Sequence, residues 1–413
     1  MKDQRVDWPS VGQLALAVVS ILIFWSGAIA SAGWGLVQLV ARDPSQGDPV
    51  PTLIMASSFA ICGILMLPSA YYALFRLMDK PARDSRAILH RMRPDLWIFA
   101  LPPVLLLGYL VAGRPELAWL FLPALNVLAI GIPTIWMLYL TVRGLPTGSS
   151  QRMWGVFGSG LTLGPFLILV IEGLAALAFL LVASIWLSTQ PGLYNQLLDL
   201  YTNPSPEKLF DELGPVLVRP GVLFSILAFG AVVVPIIEEL LKPIGVWLLF
   251  GRGLTQIAGF TAGALSGAGY ALIESLLLSS NGQEWASLVI ARSGTSSVHI
   301  LTTSLMGWAI ALAWRKKRYG RLILVFLCAV AIHGLWNGLT LMFSINLLAQ
   351  MENLPLGMPA FQSIGSIAPI GLVLLTIGCF IGLVYSNRVL RVLKNKRQQS
   401  NSIPGEKPVE SVL

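Results

Sequence analysis

The chain has 413 residues, of which 55% are hydrophobic and 12% charged, with a mean hydropathy of +0.73. A soluble domain carries about 25% charged residues, so a water-surrounded core is excluded as the main architecture. The formal net charge of +8 does not point to nucleic acid, because the basic residues sit in short connections between apolar runs.

Ten apolar segments follow one another along the chain, near 12–40, 51–78, 96–112, 118–142, 157–188, 221–250, 254–278, 297–314, 322–347 and 365–387. A membrane-spanning helix needs roughly 20 such residues. Before the first segment stand Lys2 and Arg5, and "AIASA" at 28–32 resembles a signal-peptide cleavage site. The apolar run continues to Val40, well past the 7–15 residues of a signal-peptide core, so it reads as a first transmembrane helix.

The connections alternate in positive charge. Of the 28 basic residues, five (Arg42, Arg114, Lys208, Arg219 and Arg292) fall on one side, Lys242 lies within a span, and the remaining 22 fall on the side of the N-terminus. Basic loops stay cytoplasmic. The expectation is therefore an all-α, polytopic transmembrane helix bundle of about 10 helices with both termini inside (N-in/C-in).

Its parts are expected as follows. Residues 1–188 form an N-terminal module of about five helices. Residues 189–219 form a polar extracytoplasmic loop, with a short amphipathic helix lying on the membrane. Residues 220–347 form a four-helix core, 348–395 a final helix with a basic flank, and 396–413 a disordered cytoplasmic tail. The three cysteines, Cys62, Cys328 and Cys379, lie in apolar runs without CxxC or Cys/His spacing, which reads as buried small hydrophobes rather than a metal or disulfide framework.

The interior of the first five segments holds one acidic residue, Glu172, whereas segments 6 to 9 are richly polar. An ionised side chain at a helix centre costs roughly 2.5–3.5 kcal/mol on insertion scales, so each such residue calls for a function or a partner. Segment 6 carries Glu238, Glu239 and Lys242, at spacings that let the lysine reach either carboxylate. Pro243 removes the N–H that would bond the carbonyl of residue 239, so a kink is predicted at Glu239. Segment 7 has Tyr270 and Glu274, segment 8 has His299, and segment 9 has His333 and Asn337, each pair four residues apart.

Such a set suits hydrolysis. A carboxylate at low dielectric can take a proton from water, and two histidines with a glutamate can hold a zinc ion. Asn337 and one histidine can donate hydrogen bonds to an oxyanion. No H-E-x-x-H is present, so an ordinary zincin is not indicated.

In order along the chain, "EELLK" (238–242), "YALIE" (270–274), "RSGTSSVH" (292–299) and "HGLWN" (333–337) resemble the PrsW family of intramembrane proteases. That family belongs to the wider group of CAAX prenyl endopeptidases and bacteriocin-processing proteins. The resemblance covers about 220–345. It implies a multi-pass endopeptidase of a prokaryotic cytoplasmic membrane that cuts membrane-anchored proteins, such as an anti-sigma factor.

Carried over by position, it implies catalytic roles for Glu238, Glu239, Lys242, Glu274, His299, His333 and Asn337. Glu239 would be the base, and the metal set would be Glu239, Glu274, His299 and His333 for Zn2+, with a metal-free glutamate mechanism as the alternative. Tyr270 stands where the family pattern has Phe. Thr303 and Asn337 stand where it has been written with Asp, although HxxxN occurs in the CAAX-protease relatives. Two other classes fit intramembrane acids and histidines, a proton-coupled transporter and a non-catalytic membrane binding protein. The absence of repeated halves speaks against the transporter.

Overall fold

A computed structural model describes residues 7–41, 45, 47–81, 93–202, 216, 219–278, 282, 284–351 and 359–402. Among these the structure is helical throughout, with no strand. Nine stretches are long and apolar enough to cross a membrane: Trp8–Ala41, Pro49–Leu77, Pro94–Ala112, Pro115–Val142, Ser150–Trp186, Pro220–Trp247, Glu284–Lys316, Tyr319–Met351 and Pro359–Lys396. The chain is an integral multi-pass membrane protein. Exposed Leu169, Leu180 and Ile185 fit a lipid-facing surface, since only lipid tolerates such residues in rows.

The helices are α1 (Trp8–Ala41), α2 (Pro49–Leu77), a 3-10 turn (Pro94–Ala100) leading into α3 (Leu101–Ala112), and α4 (Pro115–Val142). Next come α5 (Ser150–Leu161), α6 (Leu163–Ser188) and α7 (Pro191–Thr202). The sixth apolar segment is broken into α8 (Pro220–Ala228), a π turn (Phe229–Val233), α9 (Val234–Leu241) and α10 (Ile244–Trp247). Then follow α11 (Gln256–Leu276), α12 (Glu284–Lys316), α13 (Tyr319–Met351) and α14 (Pro359–Ser402).

Sequence signals explain several boundaries. Asp48 caps α2 by accepting from the Val50 N–H at 2.8 Å, Ser149 caps α5, and Thr255 caps α11. Pro243 leaves the helix broken between α9 and α10, so the predicted kink becomes a two-residue turn.

Two ranges differ from expectation. Apolar segment 8 starts at Glu284 rather than near 297, because the small and polar "ARSGTSS" continues the helix, with 294–297 buried. The final helix runs to Ser402, well past the apolar part that ends near 387, while 403–413 lie outside the described residues. Within 189–219, α7 supplies the short helix expected there, and 203–215 lie outside the described residues. Cys62 and Cys379 are buried, but Cys328 is exposed on α13.

Two units divide the chain, and the 220–347 range contributes to both. The first comprises residues 1–165, 242–325 and 378–413. Its core helix is α12, with 89% of its apolar window buried. Packing of α11 on α12 depends on small residues: a Cβ at Gly263 would strike the backbone of Thr303 and Ser304. Trp285, fully buried, donates to Asn126 of α4 at 3.1 Å.

The second unit comprises residues 166–241 and 326–377. There α13 crosses the π turn closely enough that a Cβ at Gly334 would strike the Ala231 carbonyl oxygen. Aromatic pairs Phe179–Phe229 and Phe224–Phe361, at 5.2 and 5.4 Å, hold the neighbouring helices.

Candidate active site

In the second unit, α9 presents two adjacent carboxylates that are almost wholly buried, Glu238 at 6% and Glu239 at 0% exposure. Buried charge requires partners, and α13 provides one. Nδ1 of His333 lies 3.0 Å from Oε1 of Glu239, and Nε2 of the same ring lies 3.8 Å from Oε2 of Glu238. The ring is therefore set between the two carboxylates, with Glu239 at hydrogen-bonding distance. One turn later Asn337 donates from Nδ2 to the carbonyl of Gly230, at 3.0 Å. That carbonyl lies within the π turn, where the regular ladder is interrupted, so the asparagine anchors α13 at its crossing of the segment leading to α9. Its amide is thus engaged with backbone rather than presented as a bare oxyanion donor.

In the first unit, Lys242 is fully buried on the turn after α9. Its Nζ lies 2.8 Å from Nδ1 of His299 and 4.8 Å from the centre of the Tyr270 ring, a cation–π arrangement. The Tyr270 ring meets the imidazole edge-on at 5.2 Å, so the aromatic expected beside Glu274 flanks the histidine instead. The Lys242 carbonyl, in the broken helix, accepts from Ser266 Oγ at 2.6 Å.

Nε2 of His299 lies 2.6 Å from Oε2 of Glu274, and the other oxygen of that carboxylate receives Arg292 at 2.9 Å. Arg292 Nε also donates to Ser275 Oγ at 3.2 Å. Since Lys242 has only hydrogens to offer, Nδ1 of His299 accepts. Its proton then sits on Nε2 and points at Glu274. The row reads Lys242, His299, Glu274, Arg292.

Both histidines follow one pattern. One ring nitrogen is fixed by a carboxylate (Nδ1 of His333 by Glu239, Nε2 of His299 by Glu274), which leaves the lone pair on the opposite nitrogen. Metal-ligating imidazoles are oriented in this way. In the second unit, Glu238 Oε2 and His333 Nε2, 3.8 Å apart, are close to the edge of a zinc tetrahedron, about 3.4 Å for bonds near 2.1 Å. In the first, the Lys242 amine stands where a cation would meet the Nδ1 lone pair of His299. The nitrogen and oxygen donors present are of the kinds that can hold a metal ion.

All seven residues singled out in the sequence lie in these two sets: Glu238, Glu239, His333 and Asn337 in one, Lys242, Glu274 and His299 in the other. Arg292, one of the five basic residues expected on the side away from the N-terminus, meets the Glu274 carboxylate. Positions 292, 296, 299 and 303 lie on one face of a helix, a signal hidden only because α12 was expected to begin after Arg292.

A family model described as PrsW family intramembrane metalloprotease matches residues 151–364, a little over half of the chain. No curated protein and no solved structure matches it. The matched range contains every member of both polar sets, and the chain belongs to the PrsW family of intramembrane proteases.

Proposed function

We propose that the protein is an endopeptidase that hydrolyses peptide bonds of membrane-anchored proteins, of the kind that tether anti-sigma factors, through its buried carboxylate–imidazole pairs. The observation that supports this most is His333 seated between Glu238 and Glu239 on helices otherwise made for lipid. A structural ion pair needs one carboxylate per cation; two around one imidazole provide a place to hold and release charge.

In this reading Glu239 fixes the His333 tautomer, and Glu238 with Nε2 of His333 would hold a zinc ion. Nδ1 of His299 is the nitrogen of the other set able to meet a cation. Zinc supplies Lewis acidity, polarising a carbonyl and lowering the pKa of water to about 7. Arg292 and Lys242 compensate the charge of the half-buried Glu274 carboxylate, and Asn337 positions α13. Glu239, expected from the sequence as the base, becomes an orienting group in this reading.

One observation favours a second reading. Lys242 on Nδ1 of His299 supports a metal-free mechanism in which Glu238 takes a proton from the attacking water and returns it to the departing amide nitrogen.

The test is cleavage of a single-span, membrane-anchored substrate by the purified protein in liposomes. Glu238→Gln and His333→Ala are expected to lower the rate by about 10²–10⁴-fold with folding retained. Wild-type rates in both variants would refute the assignment. Uptake of protons or solute that depends on Glu238, without cleavage, would favour transport.

A further inference from the structure

Outside these polar sets, the first unit contains a cavity of about 690 Å³. It lies between the start of α1, the end of α2, the start of α5 and the segment from Gly245 to Arg252. We propose that it is a binding site for the headgroup and upper acyl chain of an anionic phospholipid.

The charges around the cavity do not balance. Arg76, Arg152 and Arg252 line it, and among the described residues Asp7 is the one lining carboxylate. Asp7 pairs with Arg76 at 3.4 Å. Although burial would push its carboxyl up, hydrogen bonds from Ser10 and Arg76 hold it below the usual carboxylate value, so it stays ionised at neutral pH. The pair is built into one wall: Gln151 Nε2 donates to Ser10 Oγ at 2.7 Å, and Ser10 Oγ donates to Asp7 at 3.1 Å. Arg152 and Arg252 remain as two positive charges facing the cavity, with no further carboxylate among the described lining residues.

The cavity's depth separates a lipid from a soluble anion. From the ionic level at Asp7 the lining descends α1 to Leu16, nine residues or roughly 14 Å along a helix. It continues with Val156, Leu163, Leu248 and Leu249. A cationic mouth above an apolar floor matches an amphiphile whose phosphate sits at the helix ends. Basic pockets between transmembrane helices bind acidic headgroups by this chemistry. The arginines also belong to the basic side expected to face the cytoplasm.

Native mass spectrometry of the full chain in neutral detergent tests the proposal, with phosphatidylglycerol and phosphatidylcholine of identical acyl chains. Phosphatidylglycerol is expected to bind with a preference of roughly 30-fold, taking two arginines at their usual surface worth. Arg152→Gln/Arg252→Gln should abolish the preference, whereas Arg318→Gln, at an exposed position away from the cavity, should keep it. Should the double variant fail to fold, Arg252→Gln alone, on the exposed turn after α10, is expected to reduce the preference severalfold. Equal retention of both lipids, or an undiminished preference in the folded arginine variants, would overturn the site. Displacement of the lipid by millimolar inorganic phosphate, or binding of an acidic peptide in place of lipid, would overturn the lipid as its occupant.

Discussion

Glu238 and Glu239 are neighbours in sequence, yet the structure separates their surroundings. Glu239 meets His333 Nδ1 at 3.0 Å, and Glu238 stands 3.8 Å from Nε2. Removing an orienting carboxylate typically costs 10–100-fold in activity or metal affinity. Removing the reacting or ligating carboxylate costs about 10²–10⁴-fold. Glu238→Gln is therefore expected to fall below Glu239→Gln in kcat/KM by at least about tenfold, measured on one substrate with both variants checked for folding. The reverse order would restore Glu239 to the role the sequence suggested. That suggestion came with the family resemblance, and the break that Pro243 makes in the backbone was legible as well. Which carboxylate would turn toward which ring nitrogen was not, because it depends on how α13 meets α9.

Helix α13 carries His333, and its approach to the π turn is set by a residue without a side chain. A Cβ at Gly334 would strike the carbonyl of Ala231, so Gly334→Ala must push α13 outward. Overpacking of this kind costs typically 1–3 kcal/mol. A lower melting temperature is expected, together with a loss of cleavage larger than that from an alanine at Gly338, whose Cβ would meet only the Ala231 methyl at 3.5 Å. Equal activity in the two variants would show that the crossing does not position His333. At this scale the sequence was most legible where hydropathy was strongest, in the long apolar segments. It failed at 284–296, where small and polar residues such as Ser293 and Gly294 continue the helix. The π turn left no trace in composition, since "FGAVV" reads as ordinary helix.

For the whole molecule, the membrane character was evident from composition, and the family from four short motifs that lie on α9 to α13. Orientation rests on the charge split alone. A reporter fused after Leu413 is expected to be active only in the cytoplasm, and one inserted near Asn195 only outside; the opposite pattern would invert the bundle. What the sequence left open is whether hydrolysis depends on a metal, since Lys242 and a cation compete for the same nitrogen of His299. The most direct measurement is the cleavage rate of chelator-treated protein in liposomes before and after Zn2+ is added back. The account predicts that cleavage is lost on chelation, recovers with about one zinc per chain, and does not recover in His333→Ala. Undiminished cleavage by protein shown to be free of metal would contradict it.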